Sequence, residues 1–224
     1  MNDGLPPLLL RCSPRMGGNC DTAADAFLRG AGLVSERGES DTHFFGSKSS
    51  SGLSLPVADV SLRDHPVLPC LSCGQCSRFL EKPCPLESKD GSSFLLRFLR
   101  EAPALCFVAP IYFYHVPAHL KALIDRSQSQ WAFSESSSAS RLREREKRRA
   151  WVVLVAAREK GDKLFEGSLL SFKYWLKTFG IDLASPLCLY GLDQPGDLAA
   201  NTEALDRIRD YASSARGAFT GTGV

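Results

Sequence analysis

The chain has 224 residues, 44% hydrophobic and 23% charged, with a formal net charge of +2. This length and apolar content suit one domain over residues 1–224 with its own core, and the near-neutral balance offers no basic field for nucleic acid or an anionic membrane. No apolar run is long enough to span a bilayer, and Met1-Asn2-Asp3-Gly4 carries an acid where a secretory leader carries Lys or Arg. The expectation is a cytoplasmic protein with no nucleic-acid and no membrane partner.

In chain order, Leu8-Leu9-Leu10 predicts a first strand ending at Arg11-Cys12. A Gly-rich turn follows, then a helix over Thr22 to Leu33, where Ala23, Ala26, Phe27 and Ala31 recur at helical spacing. Residues 36–54 are polar and rich in Ser and Gly, the mark of an exposed insertion, and a weak strand is expected around Leu55 to Val60. A cysteine-rich segment at 70–84 comes next, then an amphipathic helix with Phe94, Leu95, Phe98 and Leu99 on one side. Ala104 to Ala109 predicts a buried strand, and Pro117 to Trp131 a helix with its proline in the first turn. A Ser-rich and then basic stretch forms a polar excursion at 134–149, with Ala150 to Ala156 as the next strand. Leu164 to Phe179 is helical, Pro186 to Tyr190 a strand, and Leu198 to Ala215 a closing helix.

Strands apolar on both faces belong to a sheet covered on both sides. Their alternation with helices predicts an α/β fold, a doubly wound five-stranded parallel sheet with helices on both faces. Its ligand crevice lies at the carboxyl ends of the strands, where residues 13–21, 110–116 and 157–163 converge.

The first of these loops reads Ser13-Pro14-Arg15-Met16-Gly17-Gly18-Asn19-Cys20-Asp21. Unpaired amides at a helix start and the positive end of the helix dipole attract an anion. The glycines allow close approach, Ser13 and Asn19 offer side-chain donors, and Arg15 offers charge. The pattern is neither the dinucleotide fingerprint nor the P-loop, and by itself it also fits a Gly-rich turn capped by Asp21 or Asn19.

The second loop, Pro110-Ile111-Tyr112-Phe113-Tyr114-His115, gathers three aromatics. They suit either a flat, apolar ring to cover or a plug at the end of the sheet or a subunit contact. Cys70, Cys73, Cys76 and Cys84 form C-x2-C-x2-C-x7-C. Four thiolates so spaced suit a [4Fe–4S] cluster or a zinc site, and free or redox-active thiols remain an alternative. Cys12, Cys106 and Cys188 lie in or beside apolar runs and are expected to be small core residues.

The Ser13–Cys20 stretch resembles the phosphate loop of the NAD(P)H-dependent FMN reductase and iron-sulfur flavoprotein group of the flavodoxin superfamily. Ser13, Arg15, Gly18 and Asn19 match that pattern, and Cys20 stands where the family has Ser or Thr. Pro110 to Phe113 with Lys121, Ile124, Asp125 and Arg126 is similar to the family's second loop and its helix. The resemblance implies a flavodoxin-like FMN-binding domain. Its phosphate would sit on the 13–21 loop at Ser13, Arg15, Gly18, Asn19 and Cys20. The ring would sit on Pro110, Ile111, Tyr112, Phe113 and Tyr114, with the amides of Ile111 to Phe113 at the flavin edge.

It further implies an FMN-dependent oxidoreductase of NAD(P)H:flavin or iron-sulfur-flavoprotein type. NAD(P)H or ferredoxin would be the electron donor, and the assembly a homodimer or homotetramer. In the iron-sulfur relatives the corresponding cysteines hold a [4Fe–4S] cluster that passes electrons to FMN across a subunit contact. The flavin performs the chemistry, so no catalytic side chain is expected. The alternative is a non-enzymatic electron carrier or redox sensor, with the four cysteines as a metal or thiol switch.

Overall fold

Strand β1 (Leu8–Arg11) is buried along its whole length and pairs on both sides with parallel neighbours, β3 (Pro56–Ser61) and β4 (Ala104–Pro110). The computed structural model of the chain describes residues 5–36, 56–79, 83–134 and 148–221. The polar insertion at 36–54 and the excursion at 134–149 lie outside them except at their ends, as do residues 80–82 of the cysteine segment.

The sheet continues through β5 (Arg148–Val155) to two short segments, β6 (Ile181–Leu183) and β7 (Leu187–Leu189), both parallel to β5. Counting β6 and β7 as one position, the order β3-β1-β4-β5-β6/β7 is the expected doubly wound five-stranded sheet. A further edge strand, β2 (Val34–Glu36), pairs with β3. At three residues it is too short to carry a periodic signal.

Helix α1 (Asn19–Ala31) covers one face of the sheet and α3 (Ser92–Glu101) the other, the short α2 (Gln75–Arg78) lying between them in the chain. Helices α4 (Ala118–Arg126) and α5 (Gln128–Ser134) share the segment expected to be one helix. Ser127 interrupts it, its hydroxyl donating to the Leu123 carbonyl at 2.9 Å and accepting from Trp175 Nε1 at 2.8 Å. Helix α6 (Glu166–Lys177) joins α3 and α4 over one core, where Leu99, Leu120, Leu123, Phe107 and Phe172 pack.

The C-terminal stretch divides into α7 (Asp197–Ala200), α8 (Thr202–Ser213) and α9 (Arg216–Thr220). Asn201 ends the first and caps the second by accepting from the Ala204 amide at 3.0 Å. Helix α8 crosses α1 at Gly30, where a Cβ would lie 2.7 Å from the Arg209 Cα. Only glycine permits that approach. Among the described residues no helix is long and apolar enough to cross a membrane.

The last strand position is split for a local reason. Pro186 has no amide to donate; β6 pairs with Arg148–Ala150, β7 pairs with Val153–Val155, and Trp151 and Val152 are left between them. The Tyr211 hydroxyl fills the gap, accepting from the Val152 amide at 3.1 Å and lying 3.4 Å from its carbonyl oxygen. Burial pushes the Tyr211 phenol up, so it stays neutral and able to donate. Tyr211→Phe strands a buried amide and is expected to cost about 1–3 kcal/mol, read as a lower midpoint in urea with an unchanged slope.

Candidate functional site

The loops that follow β1, β4, β5 and β7 meet at the carboxyl ends of the strands and line one cleft. Loop 13–20 contributes Ser13, Arg15, Gly18, Asn19 and Cys20; the second loop contributes Pro110, Ile111 and Tyr112. Ala157 and the residues Leu192, Asp193 and Pro195 complete it.

Gly18 is extended (ψ −177°), and its carbonyl accepts from the amides of Asp21 at 2.9 Å and Thr22 at 3.1 Å. The amides of Asn19 and Cys20 therefore start α1 with no hydrogen-bond partner among the described residues. Gly17 has φ +68°, and a Cβ placed there would meet nothing within 4 Å. At Gly18 it would meet only the Arg15 Cβ, at 4.0 Å. Open space thus lies at Gly17 and Gly18, beside two free amides and the positive end of α1 and with Arg15 alongside, an arrangement that suits an anion.

The loop is braced from beneath. Asp21 accepts from the Gly17 amide at 2.7 Å and pairs with Arg63 at 3.2 Å. Arg63 also donates to the carbonyls of Ser13 (3.3 Å) and Arg15 (3.0 Å). The Ser13 hydroxyl accepts from the Arg15 amide at 3.2 Å and shapes the same turn.

Asn19 takes a different part from the expected one. Its Nδ2 donates to the carbonyls of Leu192 (3.1 Å) and Gln194 (2.9 Å), and its Oδ1 accepts from the Leu198 amide (3.1 Å). Both amide hydrogens are used, so Asn19 offers an anion its backbone and ties the fourth loop to α1. Burial first, then Asp21, pushes the Cys20 thiol up to about 12. It is neutral near pH 7 and adds no negative charge beside the free amides.

The aromatic loop is a tight hairpin in which Tyr112 and His115 exchange backbone hydrogen bonds at 2.8 and 3.0 Å. Phe113 and Tyr114, at its tip, adopt φ of 48° and 63°, a conformation costing roughly 1–2 kcal/mol per non-glycine residue. The Ile111 amide donates to the Val155 carbonyl at 2.9 Å and the Tyr112 amide to His115. Neither is available to a ligand, a correction to the expected donor set. The amides of Phe113 and Tyr114 remain without a partner among the described residues.

Tyr112 lines the cleft, whereas Phe113 is fully exposed and, with Tyr114, stands outside the lining. Tyr114 accepts from Arg158 at 3.0 Å, which is how the 157–163 loop reaches the turn. The turn rests on α6 at Gly167, where a Cβ would meet the Tyr114 carbonyl oxygen at 3.0 Å. His115 bonds Ser171 at 2.9 Å and is not part of the cleft lining. Sequence reasoning missed the fourth loop, although the turn chemistry of Asp193-Gln194-Pro195-Gly196 after the last strand was a signal for it.

All eight cysteines are unpaired. Cys12, Cys20 and Cys106 are buried, and burial raises each of their thiols. Cys70 and Cys73 are exposed, and Cys76 and Cys84 half-buried. Ser72 (φ 51°) and Gly74 (φ 70°) turn the chain sharply here, and the Ser72 amide lies 3.4 Å from Cys70 Sγ. Gln75 Nε2 donates to the Pro83 carbonyl at 2.8 Å, drawing the chain before Cys84 toward α2. The donor set and the amide-to-sulfur bond fit a thiolate-bound centre. Among the described residues no three His, Cys, Asp or Glu side chains are gathered as a metal site.

A family described by its flavodoxin-like fold matches residues 87–212. The chain belongs to this family. Among curated proteins this flavodoxin-like chain is 33% identical over 116 residues to the iron-sulfur flavoprotein of Methanosarcina thermophila, covering 51% of the chain and 48% of that protein. It is 36% identical over 69 residues to an iron-sulfur flavoprotein of Methanocaldococcus jannaschii, covering 31% of the chain and 34% of that protein. The match thus spans about half the length of the first relative and a third of the second.

Among solved structures, the FMN-dependent NADH-azoreductase of Bacillus anthracis in complex with FMN is 14% identical at a TM-score of 0.61, covering 94% of the chain and 99% of that protein. The NAD(P)H:quinone oxidoreductase of Methanothermobacter marburgensis is 18% identical at a TM-score of 0.59, covering 94% and 98%. At such identities the two show the shared fold.

The difference in burial makes the thiols separable. In metal-free protein at about pH 8, iodoacetamide is expected to label Cys70 and Cys73 first. Cys12, Cys20 and Cys106 should stay unlabelled until the chain unfolds, as followed by peptide mass spectrometry.

Proposed function

We propose that the chain is an FMN-dependent oxidoreductase of the iron-sulfur-flavoprotein type. One observation carries this: two unpartnered amides at the start of α1 face open space at Gly17 and Gly18, on the cleft that Tyr112 also lines. A monophosphate fits the amides of Asn19 and Cys20 with Arg15 beside it. Ile111 and Tyr112 offer an apolar wall for a flat ring. The names of the curated relatives and of the azoreductase and quinone-oxidoreductase neighbours support the same reading.

FMN supplies the two-electron and one-electron chemistry. The chain's own work is to neutralise the phosphate, keep the Cys20 thiol uncharged beside it, and hold the aromatic turn rigid through Gly167 and Arg158. No side chain is assigned to move a proton. NAD(P)H or ferredoxin is the donor class in this reading, and Cys70, Cys73, Cys76 and Cys84 would hold a [4Fe–4S] cluster. Eight unpaired cysteines suit the reducing cytoplasm.

A second copy of the chain belongs to this reading. Phe113 is wholly exposed on a turn of left-handed residues beside the cleft, and strain of this kind persists at ligand clamps and contacts. The nine residues of α4 carry the chain roughly 13 Å from that turn to the part of the molecule where the cysteine segment is anchored. In this reading a neighbouring chain of a homodimer or homotetramer would cover the turn and bring its own thiols to the flavin.

Aerobic purification should give a yellow protein with one FMN per chain that oxidises NAD(P)H steadily. Bound FMN without any NAD(P)H turnover points instead to an electron carrier or redox sensor. Gly18→Val fills the open space in front of the loop, and FMN affinity should fall by roughly tenfold or more with unfolding unchanged. Unaltered affinity in that variant removes the phosphate cradle. Anaerobic analysis should find about four irons and acid-labile sulfide per chain, whereas zinc or no metal removes the cluster.

A further inference from the structure

We propose that the buried Asp90–Arg126 pair is the positioning device of the four-cysteine segment, fixing at Leu68 the point from which the chain enters it. The inference rests on the reading of Cys70, Cys73, Cys76 and Cys84 as one ligand set.

Arg126 ends α4, and Asp90 lies just ahead of α3. Their side chains are 1% and 2% exposed and 2.6 Å apart. The pair holds Leu68, two residues before Cys70. Asp90 Oδ2 accepts from the Leu68 amide at 2.9 Å, and Arg126 Nη1 donates to the Leu68 carbonyl at 3.2 Å. The remaining bonds fix the pair to the frame, with Asp90 Oδ1 accepting from the Ser92 amide (2.9 Å) and Arg126 Nη2 donating to the Ser92 hydroxyl (2.9 Å).

Stability alone is a poor account of this arrangement. Two charges taken out of water lose about as much as their attraction returns, and apolar residues of similar volume often serve as well. An apolar pair does not, however, clamp an amide and a carbonyl of the same residue. Leu68 is itself exposed and lies in no helix or strand, so the clamp supplies a fixed point that secondary structure does not. The Gln75–Pro83 bond, on the residue before Cys84, is a second fixed point within the segment. Between them lie the sharp turn at Ser72 and Gly74 and the amide bond to Cys70 Sγ. Groups that orient metal ligands from behind act through geometry rather than contact with the metal. Because α4 starts just after the aromatic turn, the pair also sets the cysteine segment relative to the cleft.

The test uses the full chain with FMN bound, anaerobic and free of metal, titrated with cobalt(II) as the thiolate probe. Wild type is expected to give the intense near-ultraviolet absorption of cobalt–thiolate bonds. The double variant Asp90→Leu/Arg126→Met leaves no lone buried charge. It should keep FMN binding and cooperative unfolding while its cobalt affinity falls roughly 10- to 100-fold. Arg126→Lys retains the charge but lacks the planar fork, and should recover part of that loss.

Cobalt affinity equal to wild type in the double variant overturns the positioning role and leaves the thiol site intact. Parallel loss of FMN and cobalt binding with early unfolding also overturns it, assigning the pair to stability. Absence of cobalt–thiolate absorption in wild type instead defeats the reading of the cysteines as a ligand set.

Discussion

Arg11 is the last residue of β1, and its guanidinium lies buried between β3 and α1. It bonds Asp59 at 2.7 and 2.9 Å and Asp25 at 2.6 Å, and it donates to the Asp21 carbonyl at 3.1 Å. Burial alone would lower its pKa, but hydrogen bonds and charge from Asp59 and Asp25 outweigh that and raise it. A buried cation tolerates only a geometry in which its anions stay close. The strand end, its neighbour β3 and the start of α1 are therefore held together beneath the loop that exposes two free amides. Arg63 and Asp21 repeat the arrangement one layer higher. Asp21 and Arg63 also satisfy backbone groups of the loop itself, at Gly17, Ser13 and Arg15.

Seven of the eight cysteines divide along the same physical line, Cys188 being half-buried at the core's edge rather than the core residue expected. Those against the sheet, Cys12, Cys20 and Cys106, are deprived of water and held neutral, behaving as small apolar residues. Of the 70–84 segment only Cys76 lies in a helix, the short α2; left-handed turns, a Gln75 hydrogen bond and the Asp90–Arg126 clamp hold the rest. One residue type thus serves as packing in one place and stands open to solvent in another.

Much of the fold was legible because buried parallel strands are apolar throughout and helices repeat with their own period. Ala104 to Ala109, Ala150 to Ala156 and the helix after Gly18 were read within a few residues of their observed bounds. The failures have local causes. Strand β2 is too short to carry a pattern, and Pro186 splits the last strand position. Ser127 and Asn201 each break a periodic segment through hydrogen bonds to neighbouring backbone, visible only once the chain is folded.

Residue types and spacing by themselves determined the class of fold, the loop with an anion-seeking helix start, the aromatic loop and the four-cysteine run, since each is a property of neighbours along the chain. Tertiary structure alone decided how those residues are used. Asn19 joins the fourth loop instead of reaching into the cleft, and Ile111 and Tyr112 donate their amides within the fold. Arg126 turns inward to Asp90. Hydrogen-bond donors are few and each hydrogen serves one acceptor well, so a donor's role depends on which acceptor the fold brings nearest. That choice joins residues as far apart as Asn19 and Leu198, and no local pattern encodes it.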